Sequence, residues 1–174
     1  MHEPSSPTED SAAPQGPPGA DSEVPFAVVG IGASAGGLEA LEAFFRHLPD
    51  EPGMAFVVIM HLARVHHSHL AELLQCFTAM PVEQISDGQH VSPNRVYVLP
   101  PNQNLMLAQG MLHLSERNLV HEPQLPIDFF FRALAAAQKT RAIAIVLSGM
   151  GHDGTLGLRA IRQAGGIVLV QDPD

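Results

Sequence analysis

The sequence predicts an α/β domain: a doubly wound, mostly parallel sheet flanked by helices, with a β-hairpin insertion. Three observations carry this. The runs "FAVVGIG", "AFVVIM" and "AIAIVLSG" are continuously apolar, as strands buried on both faces are. Helix-period segments alternate with them, which implies right-handed crossovers between parallel neighbours. One segment, "NLMLAQGMLHLS", instead alternates apolar and polar residues about Gln109-Gly110, as a hairpin does.

The elements follow in order. "FAVVGIG" is the first strand. "GLEALEAFFRHL" sets Leu38, Leu41, Phe44, Phe45 and Leu48 on one helical face, and Pro49 stops that helix. "AFVVIM", Ala55 to Met60, is the second strand. In "SHLAELLQCFTA", Ser68 is the expected N-cap, Glu72 lies near the capping-box position, and Leu70, Leu73, Leu74 and Phe77 form the core stripe. The single cysteine, Cys76, reads as a small core residue. "PVEQIS" and "NRVYVLP" read as short strands around a turn at Asp87-Gly88, and the hairpin follows. "PIDFFFRALAAAQ" is a helix opened by Pro126. "AIAIVLSG" is a strand, "GTLGLRAIRQAGG" a helix closed by Gly165-Gly166, and "IVLVQ" the last strand.

Residues 1–24 are rich in Pro, Ser, Ala, Gly and acid, with almost no large apolar side chain to offset ordering entropy. They are expected to be a disordered tail, and residues 25–174 the folded domain. The net charge of −9 is uneven: Glu3, Glu9, Asp10, Asp21 and Glu23 lie in the tail, leaving 9 basic against 13 acidic residues beyond it. No basic stripe suits nucleic acid. The N-terminus shows no secretory pattern, and no apolar run approaches the ~18–20 residues of a membrane helix. A cytoplasmic location without membrane insertion is the expectation. The final strand ends close to Asp174 with no helix after it, as a fragment of a longer protein would.

The stretch "AVVGIGASAGG" fits two readings. As G-x-G-x-x-A it resembles a dinucleotide turn, which then needs an acid at the tip of the next strand to bind ribose. That tip carries His61; Asp50 and Glu51 precede the strand, at the wrong end of the sheet. As G-x-S-x-G it presents Ser34 on a strand-to-helix turn, with Gly32 and Gly36 leaving room around it. A serine nucleophile needs a base, and the base an orienting partner. His61 and Asp153 stand at two further strand tips on the same edge, where chemistry sits in such sheets. Each also has a structural reading: Ser34 as a helix N-cap, His61 as a loop histidine, Asp153 as a cap of the helix from Gly154. The cluster "HHSH", His66, His67 and His69, matches no closed zinc site and reads as a solvated helix start.

Together "VGIGASAGGLEAL", "FVVIMHL", "VYVLPPN", "LPIDFFFRAL" and "IVLSGMGHDGTLGLRAIRQAGG" resemble, from about Phe26 to Asp174, the catalytic domain of the chemotaxis protein-glutamate methylesterases, the CheB family. The resemblance implies hydrolysis of methyl esters on receptor glutamates, with deamidation of glutamines in some members. It assigns Ser34 as nucleophile, His61 as general base and Asp153 as the acid orienting it, with the Met150 N–H as an oxyanion donor. The Ala35 N–H, next after the nucleophile, is the second donor expected from position. No metal or cofactor is required. Two departures from the family pattern are Met60, where Gln usually precedes the histidine, and His152 beside Asp153. The stand-alone enzymes carry a phospho-receiver domain ahead of the esterase. The short tail here resembles instead hybrid proteins that continue into methyltransferase and sensor domains, in which a catalytically weak docking module is the alternative role.

Overall fold

The computed structural model describes residues 24–61, 69–117, 125–147 and 152–172, the side chains of Ala35 and His61 excepted. Residues 1–23 lie outside this range, so the expected tail is outside the described residues. Val24, grouped with that tail in the sequence reading, is buried and joins the core.

Six strands form the main sheet: β1 (Val28–Ser34), β2 (Ala55–His61), β3 (Val82–Gln84), β5 (Arg95–Val98), β8 (Ala142–Val146) and β9 (Ile167–Val170). Their order is β3-β5-β2-β1-β8-β9, and every pairing is parallel. Among the described residues four α-helices connect them: α1 (Leu38–Arg46), α2 (Leu70–Gln75), α3 (Pro126–Gln138) and α4 (Thr155–Gln163). Strand alternation divides the core in two. Val29, Ile31 and Ala33 of β1 and Phe56, Val58 and Met60 of β2 pack with Leu41 and Phe45 of α1 and Leu70 and Leu74 of α2. Val28 of β1 and Ala55, Val57 and Ile59 of β2 pack with Ile127, Phe130, Phe131 and Leu134 of α3 and Ile161 of α4. The helices thus cover both faces, as the doubly wound reading requires.

The chain leaves β1 toward β2 on one side and later returns through α3 to β8 on the other. The switch point of the sheet therefore lies between β1 and β8, at their carboxyl ends. The Leu147 N–H donates to the Gly32 carbonyl at 2.9 Å and extends that pairing toward the tip.

A second, antiparallel sheet holds β4 (Gln89–His90), β6 (Gln103–Ala108) and β7 (Met111–Glu116), in the order β4-β7-β6. The expected hairpin is β6–β7, turning at Gln109 (φ 52°) and Gly110 (φ 72°). Leu105, Leu107 and Leu112 bury against the α3 side of the core. The segments around Asp87-Gly88 differ from expectation. "PVEQIS" and "NRVYVLP" do form β3 and β5, but these pair parallel, and the turn leads into β4 of the other sheet.

Cys76 is exposed, not a core residue. It caps the C-terminus of α2, where its thiol faces the Glu72 carbonyl at 3.6 Å. The apolar stripe through Leu70 and Leu74 turns away from it, and Leu73, expected in that stripe, is 38% exposed. The structure gives α2 His69 as N-cap, its Nδ1 3.0 Å from Glu72 Oε2. The expected cap Ser68 lies outside the described residues.

Candidate active site

Local backbone requirements position the β1 tip. A Cβ on Gly32 would lie 2.6 Å from Ile127 Cγ2, and one on Gly30 would lie 2.8 Å from Phe131 Cε1. These two glycines let α3 lie directly on β1. Gly36 has open space where a Cβ would be, so it is not a packing glycine. Gly32 and Gly36, both expected to leave room around Ser34, differ in role: the clearance at Gly32 is for Ile127.

Ser34 ends β1 and opens a 3-10 turn, Ala35–Gly37, that leads into α1. Its backbone is extended (φ −101°, ψ −172°), and its side chain makes no capping bond to that turn. Ser34 is half-buried and shares its alternate set with Val28, Gly30 and Gly32, the set on the α3 side. In the parallel register Ser34 pairs with His61, the last residue of β2. Neighbouring strands lie about 4.8 Å apart, so these two positions are adjacent along one sheet edge. Met60 is buried in the cluster under α1 and α2, on the opposite face from Ile127.

Asp153 is half-buried just ahead of α4. Its Oδ1 accepts the Asp128 N–H at 2.9 Å and its Oδ2 the Ile127 N–H at 3.2 Å. The carboxylate therefore caps the first turn of α3, from 25 residues away, rather than its own helix. Ile127 joins the two sides of the site: a Cβ on Gly154 would lie 3.1 Å from the same Cγ2 that abuts Gly32. Ser34 at the β1 tip, His61 beside it and Asp153 across Ile127 thus belong to one end of the sheet.

Met150 lies outside the described residues, as do His66 and His67. Ala35 is the first residue of the 3-10 turn, immediately after Ser34. His152 is exposed, and its carbonyl accepts the Thr155 N–H at 3.3 Å. Among the described residues no three His, Cys, Asp or Glu are grouped so as to hold a metal ion. Among them, too, no helix is long and apolar enough to cross a membrane.

The CheB methylesterase family matches residues 29–174. The chain belongs to the CheB methylesterase family. Relatives include a protein-glutamate methylesterase/protein-glutamine glutaminase of Xanthomonas campestris pv. campestris, 37% identical over 150 residues. That alignment covers 83% of this chain and 41% of the relative. One from Burkholderia lata is 37% identical over 147 residues, covering 83% and 43%. The chain thus spans about two fifths of the length of these relatives. The catalytic domain of Thermotoga maritima CheB methylesterase has the same fold, with a TM-score of 0.78 at 29% identity, over 87% of this chain and 82% of that one.

In this CheB-family chain one feature at the site escaped the sequence reading. Asp128 is 5% exposed and its Oδ1 accepts the Gly157 N–H of α4 at 2.7 Å. Its local signal was weak: an acid in the first turn of a helix is ordinarily a solvated favourable charge. A second signal was present. Neither helix begins with a capping side chain of its own, since Leu125 and Gly154 occupy the N-cap positions.

Proposed function

We propose that this chain is the catalytic part of a serine esterase that removes methyl esters from glutamate side chains of chemoreceptor-type proteins. Ser34 is the nucleophile, His61 its base and Asp153 the acid that orients His61. The Ala35 and Met150 N–H groups are the oxyanion donors. The observation that carries this reading is the parallel register of Ser34 with His61 at the carboxyl edge of the sheet. Support also comes from Asp153 at the same edge and from the protein-glutamate methylesterases among the relatives.

The Ser34 hydroxyl attacks the ester carbonyl and gives its proton to His61. Backbone N–H groups hold the oxyanion as the tetrahedral intermediate forms. The intermediate expels methanol, which takes the proton from His61, leaving a glutamyl ester on Ser34. Water, deprotonated by His61, cleaves that ester and restores Ser34, with free glutamate as product. The same sequence applied to glutamine releases ammonia, in keeping with the glutaminase half of the relatives' name. Asp153 engages two α3 N–H groups. A carboxylate offers about four lone-pair sites, which leaves it capacity for an imidazole N–H. The proposed setting is a cytoplasmic signalling protein that also carries methyltransferase and sensor domains.

The test is methanol release from methylated receptor by the full chain. Ser34→Ala is expected to lower kcat by about 10⁴-fold or more. His61→Ala is expected to lower kcat by a comparable factor, because Ser34 is then left without its base. A full rate in Ser34→Ala would sink the reading; no release by the wild type would leave the docking-module role.

A further inference from the structure

We infer that Asp128 is a positioning residue that holds Asp153 in register with the site by clamping both ends of the segment from Asp153 to Gly157. The inference rests on the reading of Asp153 given above.

Four observations carry it. The first turn of α3 has two N–H groups to satisfy, those of Ile127 and Asp128, because Pro126 has none and Leu125 makes no side-chain cap. Asp153 accepts both. Helix α4 starts from Gly154 (φ 103°), which has no side chain, and its Gly157 N–H is taken by Asp128 at 2.7 Å. Gly157 also permits the contact: a Cβ there would overlap Phe131 Cβ of α3. Each helix is therefore capped by the acid of the other.

Asp128 touches the segment at two points. Its N–H binds the Asp153 carboxylate and its own carboxylate binds Gly157. A carboxylate buried at 5% exposure is costly unless its acceptors are used. Here it meets the positive end of α4. Removing the carboxylate takes away the hydrogen bond at Gly157 and leaves that end of the segment to packing against Phe131. Displacements of about 1 Å at a catalytic group cost about 10²-fold in rate.

Steady-state kinetics on methylated receptor, with the full chain and rates normalised to folded protein by circular dichroism, test this. Asp128→Ala is expected to lower kcat about 10–100-fold with KM within about twofold. Asp128→Asn, which keeps an acceptor oxygen for Gly157, should recover most of that loss. Asp128→Ser, too short to reach Gly157 yet still polar, carries the same test should the alanine variant not fold. A kcat within twofold of wild type for the alanine or serine variant overturns the inference. So does a change confined to KM, or equal losses in the alanine and asparagine variants. Ser34→Ala and Asp153→Ala run alongside. If Ser34→Ala keeps its rate, the esterase reading fails. If both lose activity while Asp128→Ala does not, only this inference fails.

Discussion

Gly32 shapes the β1 tip through what it lets approach. Its missing Cβ is the space that Ile127 fills, and Ile127 in turn abuts Gly154. Gly32→Ala should cost about 1–3 kcal/mol through overpacking and lower activity by moving α3 against the tip that carries Ser34. Thermal melts of Gly32→Ala, Ile127→Ala and the double variant check this. The double variant should be more stable than the two single losses added together, because the shortened Ile127 makes room for the new methyl. Additive losses would place the strain elsewhere. That Ser34 and His61 end strands was legible in the sequence, because each follows a continuous apolar run; Asp153, expected at a strand tip, lies instead in the turn just ahead of α4. What Gly32 and Asp153 touch was not legible, because Ile127 lies 95 residues from the first and 26 from the second. Cys76 misled for a related reason: apolar neighbours in sequence suggest burial, but one position's rotation around a short helix put the thiol outside.

At the scale of elements, legibility followed the range of the interaction that specifies each one. The hairpin turn was readable because Gln109 and Gly110 hold positive φ and pair their own flanking strands. The partner of β3 was not readable, since parallel pairing to β5 depends on a crossover and no turn signal encodes it. Helix α4 ends as its glycines indicate. The Gly166 N–H reaches the Ile161 carbonyl at 2.9 Å and the Gly165 N–H the Arg162 carbonyl at 3.1 Å, with Gly165 at φ 83°. Gly165→Ala places a side chain in that left-handed conformation, at a cost of about 1–2 kcal/mol. The melting temperature should drop by about 3–6 °C while kcat per folded molecule stays near wild type. An unchanged melting temperature would mean that the helix end relaxes without strain. The start of α4, by contrast, misled: Asp153 beside it reads as its cap, but that carboxylate serves α3 and the acid capping α4 belongs to α3.

Over the whole molecule, α3 lies between two sheets, and Tyr97 ties those sheets together at one edge. Its ring is buried in β5, while its hydroxyl donates to the His90 carbonyl at 3.4 Å and accepts the Ser92 N–H at 2.9 Å. Burial pushes the Tyr97 phenol above its ordinary value, partly opposed by the Ser92 N–H. A phenol that holds its proton more tightly when folded contributes stability below the unfolded value of about 10, and that stability is lost as pH rises through the folded value. Tyr97→Phe should cost about 1 kcal/mol at neutral pH by leaving the Ser92 N–H without its acceptor. It should also flatten the alkaline decline. Denaturant melts between pH 8 and 11 measure both, and parallel declines for the two proteins would remove Tyr97 from that role. The crossed caps of α3 and α4 have a consequence on a different axis. Neither helix start gains all of these hydrogen-bond partners until the other has docked, which couples the formation of the two. A thermal fluctuation that parts the two helices loosens both starts together, and with them the anchorage of Asp153.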